Sequence, residues 1–192
     1  MATVSDRFPL DERRQSCWQL QRYLHDHGVG VLHGHPRRPA FDSRDYVKLM
    51  VTGQAPLSFS GTVPETRGEE TRYFDYCQQG KLMIQWCEPC EEYLFYPRAV
   101  CPLCLEAAPT WVEASGGGTV FTFTVHHRFP QGMEEQGPYV VAVVELDEGV
   151  RLMSRVISNP DDVTIGLRVE ARFARITATF QVPVFVPVPQ EV

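Results

Sequence analysis

The apolar residues of this chain follow a helical spacing in its first part and an alternating, strand-like spacing in its last part. Apolar residues at helical spacing predict a helix over residues 11–27 and a second, short helix just after Asp42. The same spacing predicts a third helix over residues 69–79, which ends at Gly80. The first part of the chain is therefore expected to contribute helices to a fold that is otherwise mainly β.

Five further segments show the pattern of β-strands. A short strand is predicted over Leu82–Trp86, ahead of the first cysteine pair. From residue 121 to 126, Phe and Val alternate with Thr and His, as in a half-buried strand that buries Phe121, Phe123 and Val125. Apolar segments follow at 139–146, 152–157 and 169–176, and the first two are joined by the tight turn Asp147-Glu148-Gly149. Closely spaced strands with short turns predict a small closed barrel after residue 112.

Two stretches rich in proline or glycine interrupt these elements. The tail over residues 182–188 contains Pro183 and Pro187, which lack the backbone donor of a sheet ladder. It is predicted to be an edge strand or an extended arm that docks on a partner; the alternative is that it closes the barrel. The run from Ser115 to Thr119 is interpreted as a flexible hinge, since a phosphate-binding loop of the Walker type would need a lysine.

Composition narrows the functional classes. The chain has 192 residues, of which 43% are hydrophobic and 22% are charged, so wholesale disorder is excluded. A net charge of -6 disfavours nucleic-acid binding, because such proteins usually present a basic face to phosphates. No run of 18 apolar residues predicts a membrane span, and the N-terminus lacks a signal pattern. A cytoplasmic location is expected.

The strongest chemical signal is two cysteine pairs. Cys87 and Cys90 are separated by two residues, and so are Cys101 and Cys104 after a gap of ten. Each spacing lets one tight turn aim two sulfurs at a common point, and two such turns supply the four thiolates of a closed zinc site. A pair of disulfides, a redox Cys-x-x-Cys motif and a rubredoxin-type iron site are the alternatives. We predict one structural zinc ion.

Several motifs around these cysteines occur in a recognisable order. They are a helix that ends at Gly80, Leu82–Cys87, Tyr96-Pro97-Arg98, the second cysteine pair, Ser115–Val120, Val125–Arg128, Pro138–Ala142 and Glu145–Gly149. This arrangement resembles the DUF35 family of zinc-ribbon/OB-fold proteins, which are associated with thiolases and other acyl-CoA enzymes. The resemblance covers roughly residues 70–188.

The resemblance implies a rubredoxin-like zinc ribbon followed by an OB-fold barrel. Domains are then expected at 1–68 (helical extension), 69–112 (helix plus ribbon) and 113–192 (barrel with a C-terminal arm). Family members are typically small non-catalytic subunits that dock on a thiolase-fold partner, or on an aldolase related to one, in a hetero-oligomer and help to bind acyl-CoA. Their pathways include acetoacetyl-CoA formation, phloroglucinol acylation, steroid side-chain degradation and toluene degradation through benzoylsuccinyl-CoA. Glu91 and Leu105 depart from the family pattern, because many ribbons have Gly after each pair.

Other residues are candidates for substrate or partner contact. His126, His127 and Arg128 end the first predicted barrel strand, and Arg98 lies in the ribbon; both assignments rest mainly on the resemblance. A further candidate is the pair Arg37 and Arg38, which could meet a CoA phosphate by charge-assisted bonds.

Three functions remain open at this point. The leading hypothesis is a non-catalytic subunit for Claisen condensation or its thiolytic reverse, with the nucleophilic cysteine on the partner. The alternative is a module that binds single-stranded nucleic acid, since zinc ribbons and OB-folds both do so. An independent CoA-binding enzyme is disfavoured, because Cys17 and Cys77 lie on apolar helix faces without a convincing base.

Overall fold

The computed structural model of the protein describes residues 57–59, 61–128 and 138–189. The predicted helices at 11–27 and after Asp42 lie outside these residues. Within them the chain forms the following elements, in order: α1 (Glu69–Gln78), β1 (Met83–Cys87), β2 (Glu92–Leu94), β3 (Thr110–Glu113), β4 (Gly117–His126), β5 (Tyr139–Leu146), β6 (Arg151–Val156), the 3-10 turn η1 (Pro160–Asp162), β7 (Arg168–Arg175) and β8 (Gln181–Pro187). The third predicted helix is confirmed. No helix in the described ranges is long and apolar enough to cross a membrane.

The first part of the fold is a small antiparallel sheet with the strand order β2-β1-β3. Helix α1 packs beside this sheet through Tyr73 and Cys77, which share one helix face and are buried. The Tyr73 ring meets Phe95 edge-on, with ring centroids 5.4 Å apart. The Nε1–H of Trp111 in β3 donates to the Glu69 carboxylate over 3.1 Å. The helix therefore adds Tyr73 and Cys77 to a core cluster that the sheet shares with the barrel.

The second part is a closed five-stranded barrel with the strand order β4-β5-β6-β8-β7. The predicted barrel is therefore confirmed. Alternate residues of β5 are buried, so Val140, Ala142, Val144 and Leu146 face the interior, as a period-2 pattern requires. The turn after β5 uses Gly149 at φ 84°, a left-handed conformation that glycine adopts without strain.

A β-bulge in β4 corrects one sequence-based prediction. Val120 pairs with Val144 and Thr122 with Val143, so Phe121 is the extra residue between them. The bulge changes which face alternate residues occupy. Phe123 and Val125 pack on the core as predicted, but the Phe121 side chain is 45% exposed on the outer face.

The proline-containing tail is also corrected. The tail forms β8, which pairs along its length with β7 and contacts β6 through the parallel pair Val156–Phe185. It is therefore the strand that closes the barrel, and neither an edge strand nor an arm. The carbonyl of Phe185 accepts from Ile157 N–H on the β6 side, so odd-numbered residues of β8 direct their backbone groups toward β6. Pro183 and Pro187 share this orientation, and no β7–β8 ladder bond is lost by their missing donors.

Both faces of β8 are buried within the same chain. Phe185 points into the barrel core, whereas Val184 and Val186 belong to a second apolar cluster on the outer face. Leu57 and Phe59 pack on this outer cluster, and the short segment that holds them is fixed to the end of β7: Arg175 N–H donates to the Leu57 carbonyl over 2.8 Å. An apolar outer face on β8 is thus explained without a partner subunit.

The glycine-rich run before the barrel is not a hinge throughout. Gly117 and Gly118 are the first residues of β4 and pair with β7 as well as β5. A Cβ atom at Gly118 would lie 2.6 Å from the carbonyl oxygen of Glu145, which is closer than atoms can approach. These glycines are needed for the close approach of three strands, and so the hinge interpretation is wrong for them.

Candidate metal centre

Two backbone turns carry the four cysteines. Cys87 is the last residue of β1, and the turn that follows it brings Cys90 back before β2 begins. Cys101 opens the second turn, where its N–H donates to the Ala107 carbonyl over 2.9 Å, and Cys104 closes it. Cys87 and Cys101 are fully buried, whereas Cys90 and Cys104 are partly exposed. The two turns face one another at one end of the ribbon sheet.

The four sulfur atoms have the spacing of a tetrahedral metal site. All four lie within 4.8 Å of one another, and the Sγ–Sγ distances Cys87–Cys104 and Cys90–Cys101 are both 3.8 Å. Four sulfurs about 2.3 Å from a central zinc ion stand about 3.8 Å apart at the corners of a tetrahedron. The donor set therefore fits zinc, and its four protein ligands leave no position for a substrate. Such closed sites are structural.

In the second turn, hydrogen bonds from backbone N–H groups stabilise the deprotonated form of the two cysteines. N–H groups of Glu106 and Ala107 lower the pKa of the Cys104 thiol to about 6. The pKa of Cys101 is also lowered, chiefly by the N–H of Cys104. In the first turn burial dominates instead, and it raises the pKa of Cys87 and brings that of Cys90 to about 12. Metal binding supplies the positive charge that keeps all four sulfurs deprotonated.

The two residues that depart from the glycine pattern keep the geometry that glycine would give. Glu91 has φ 51° and Leu105 has φ 62°, so both occupy the left-handed region. The turns therefore have the usual backbone bend, and non-glycine side chains are accommodated there at a cost of about 1–2 kcal/mol each. The Leu105 N–H still donates to the Cys101 carbonyl over 3.0 Å. The residue types change while the turn geometry stays the same.

The arrangement of the four sulfurs can be compared with what each alternative to zinc requires. The four cysteines are free thiols, which disfavours the alternative of a pair of disulfides. A redox Cys-x-x-Cys motif needs one pair, whereas here two pairs converge on one point. Iron shares the preference for four tetrahedral thiolates, so a rubredoxin-type iron site is the alternative with the same geometry.

The predicted contact residues fall at two distant places. Arg98 lies in the loop between β2 and Cys101, near the turn that joins β5 to β6. His126 lies at the far end of β4, where its ring stacks on Tyr139 with centroids 5.0 Å apart. His127 and Arg128 follow it and are exposed. Because β5 spans the barrel between these ends, roughly 20 Å separates the two groups.

Arg37 and Arg38 lie outside the described residues, so their predicted role stays a prediction.

Sequence reasoning missed the residue that fixes Arg98. Gln85 is 1% exposed, and its side-chain amide forms two hydrogen bonds with the backbone of Arg98. Gln85 Nε2–H donates to the Arg98 carbonyl over 2.9 Å, and Arg98 N–H donates to Gln85 Oε1 over 2.7 Å. A glutamine in the middle of a short apolar strand was the available signal, since a buried amide requires partners.

A four-thiolate ribbon followed by a closed five-stranded barrel defines the chain as a zinc-ribbon/OB-fold protein. Family models agree: residues 74–110 match "ChsH2, rubredoxin-like zinc ribbon domain" and residues 111–174 match "ChsH2, C-terminal OB-fold domain". The solved structure titled "Ltp2-ChsH2(DUF35) aldolase" is 34% identical, with a TM-score of 0.60, over 65% of this chain and 98% of that one. The chain belongs to the DUF35 family, and its cofactor is zinc.

Two curated relatives extend the comparison. A "DUF35 domain-containing scaffold protein" of Methanocaldococcus jannaschii is 40% identical over 92 residues, 47% of this chain and 65% of the relative. A "Probable enoyl-CoA hydratase alpha subunit" of Thermomonospora curvata is 36% identical over 130 residues, 67% of this chain and 40% of the relative. The chain thus spans somewhat less than two thirds of the first and less than half of the second.

Proposed function

We propose that this chain is a zinc-containing, non-catalytic subunit of a cytoplasmic thiolase-type acyl-CoA enzyme complex. The reaction class is Claisen condensation or its thiolytic reverse. A thiolase-fold partner in the hetero-oligomer carries the nucleophilic cysteine, and this chain supports assembly and helps to bind acyl-CoA.

The main support for the proposal is that each described cysteine is either a metal ligand or buried. Four of the five described thiols converge on one closed metal site, where thiolates are ligands and not nucleophiles. The fifth, Cys77, is fully buried, and burial raises the pKa of its thiol to about 12. A nucleophilic thiol needs exposure and a lowered pKa. Within the described ranges, no hydrogen bond joins a cysteine or serine to a histidine, so reactive chemistry is assigned to a partner.

The relatives support the same division of labour. One is named a scaffold protein, one a probable enoyl-CoA hydratase alpha subunit, and the DUF35 structure is titled with an aldolase. The last two names place a relative within an enzyme, and the first gives a relative a scaffolding role.

Nucleic-acid binding is the less favoured function. Base stacking on an OB-fold needs an exposed aromatic face. Phe121 is exposed, but the Arg151 guanidinium lies 3.5 Å from its ring centroid and covers one face. Phe123, the next aromatic residue of β4, packs on the core.

The test is co-expression with a thiolase-fold protein encoded by a neighbouring gene of the native host. We expect the two chains to co-elute in size-exclusion chromatography and the complex to cleave or form 3-oxoacyl-CoA esters. The isolated chain should show no turnover. Cys101→Ser should lose zinc and co-elution together, while Cys77→Ala, a cysteine outside the metal site, should keep both. Turnover by the isolated chain would reject the proposal, and so would failure of every such partner to co-elute.

A further inference from the structure

A cleft of about 350 Å³ lies between the ribbon and the barrel turn that joins β5 to β6. Its ribbon wall is formed by Tyr93, Phe95, Tyr96 and Arg98, and its barrel wall includes Arg151. Among the described residues that line it, these two arginines carry the only charges. The volume is in the range of small-molecule sites, of about 300–1,000 Å³. The chain has a net charge of -6 and Arg151 is paired with Glu145, but the two guanidinium groups still give the cleft walls charged donors for an anion.

Arg98 is presented to this cleft from a fixed backbone. The amide of Gln85 holds both the N–H and the carbonyl of Arg98, so the position of its Cα is set by a buried residue of β1. The Arg98 side chain is exposed and forms no ion pair or hydrogen bond with any residue in the described ranges. Its guanidinium donors are available to a ligand, and the fixed backbone limits the entropy lost on binding.

Arg151 is oriented by two neighbours that leave its outer donors available. Its Nε–H donates to the Glu145 carboxylate over 2.6 Å, and its guanidinium lies over the Phe121 ring. Phe121 occupies this position because the bulge in β4 turns it outward. The contacts use Nε and one face of the guanidinium plane, and no contact in the described ranges uses the two terminal nitrogens. Bulges commonly re-aim side chains beside functional sites.

Aromatic side chains stand next to these cations. The Tyr96 side chain is 54% exposed and the Tyr93 side chain is 38% exposed, so both rings are accessible to a ligand. Phe95 packs against Tyr96 with centroids 4.5 Å apart and keeps that ring in place. Rings beside guanidinium groups suit a ligand that joins a flat heterocycle to anionic groups.

We propose that the cleft binds a phosphorylated nucleotide, with its phosphates on Arg98 and Arg151 and its base against Tyr96. Phosphate oxygens match the planar donor fork of arginine, and two forks suit a ligand with two or more negative charges. The identification of this nucleotide as the adenosine end of acyl-CoA rests on the proposed function. The anion site itself rests only on the cleft.

The test uses the full, zinc-loaded chain without a partner and isothermal titration with adenosine 3′,5′-bisphosphate. Arg98→Gln and Arg151→Gln should each weaken binding about tenfold or more, as expected for the loss of charged hydrogen bonds. Tyr96→Ala should weaken it several-fold. Arg72→Gln removes the same charge from an exposed position on α1 and should leave the affinity within twofold. Zinc content and circular dichroism of each variant confirm that the fold is intact.

Three comparison ligands, adenosine, inorganic pyrophosphate and a single-stranded oligonucleotide, distinguish the possible sources of anion binding. Neutral adenosine should bind at least tenfold more weakly than the bisphosphate, and inorganic pyrophosphate should also bind more weakly, because it lacks the base. Equal affinity for pyrophosphate would overturn the nucleotide assignment, as would much tighter binding of a single-stranded oligonucleotide. Absence of bisphosphate binding, or binding unchanged in both arginine variants, would overturn the site. Co-elution with a thiolase-fold partner is measured separately, so either proposal can fail alone.

Discussion

Replacing Gln85 with leucine tests how far one buried amide stabilises the ribbon. The substitution keeps the side-chain volume similar and removes both hydrogen bonds to the Arg98 backbone, of 2.9 and 2.7 Å. Each such bond contributes about 1 kcal/mol net, so the free energy of unfolding should fall by about 2 kcal/mol. For a chain of this size, that corresponds to a Tm lower by roughly 4–8 °C. The loop that Gln85 holds leads directly to Cys101, so zinc release to a chelator should also become faster.

The assay is thermal and urea unfolding of the zinc-loaded chain, followed by zinc release into excess chelator with a colorimetric indicator. Gln79→Leu is the matched control, since Gln79 is exposed at the end of α1 and its amide donates only to the Asp75 carbonyl. Its stability should change by less than about 0.5 kcal/mol. If Gln85→Leu melted and released zinc like the wild type, the amide clamp would contribute nothing and the argument for a fixed Arg98 would fail with it.

Four further predictions address the metal, the turns, the barrel and pH. Cys101→Ser should drop zinc from about one per chain to near zero by elemental analysis, because the tetrahedron loses a ligand that contributes to folding. Leu105→Gly should raise the free energy of unfolding by up to about 1 kcal/mol in urea, since φ is 62° there; a loss of stability would contradict the turn argument. Phe185→Ala should cost about 3–5 kcal/mol in the same assay, and a smaller cost than Val188→Ala would refute the role of β8 in closing the barrel. Arg168 is hydrogen-bonded to Asp147 and lowers the pKa of that carboxyl in the folded state. The pair therefore stabilises the fold above about pH 4, and this stabilisation is lost as the pH falls through the folded-state pKa of Asp147. The free energy of unfolding of Asp147→Asn should accordingly fall less on acidification than that of the wild type.

The metal centre could be predicted from the sequence because its signal is local. The spacing of Cys87, Cys90, Cys101 and Cys104 predicts both the number of ligands and the geometry of the two turns. The distances between the sulfur atoms agree with this prediction. The third helix and the apolar run of β5 were equally accessible, since each depends on periodicity within one element.

What the sequence did not reveal depends on contacts between distant elements. Alternation placed Phe121 in the core, but a bulge set by the pairing of β4 with β5 turned it outward. The prolines of the tail favoured an edge strand, but β8 lies between β6 and β7. The barrel tolerates the prolines there because their missing N–H donors face β6, with which β8 forms a single pair, and not β7. Arg98 and Arg151 are 53 residues apart in sequence, and only the packing of ribbon on barrel brings them to one cleft.

The cysteine end of the ribbon has almost no aliphatic core, and its turns pack mainly against the four sulfur atoms. The apolar cluster at that end consists of the four cysteines with Leu94 and Ala107, so a metal ion stands where larger proteins place a core of aliphatic side chains. Side chains such as Val100, Leu103 and Leu105 are left outside and are 48–73% exposed. Because Val100 and Leu103 bury little apolar surface, their substitution should change the free energy of unfolding little, whereas Leu105 also matters through its left-handed backbone. The shape of that end of the molecule is therefore set by the four sulfur ligands and their metal, and its exposed side chains can be exchanged without changing that shape.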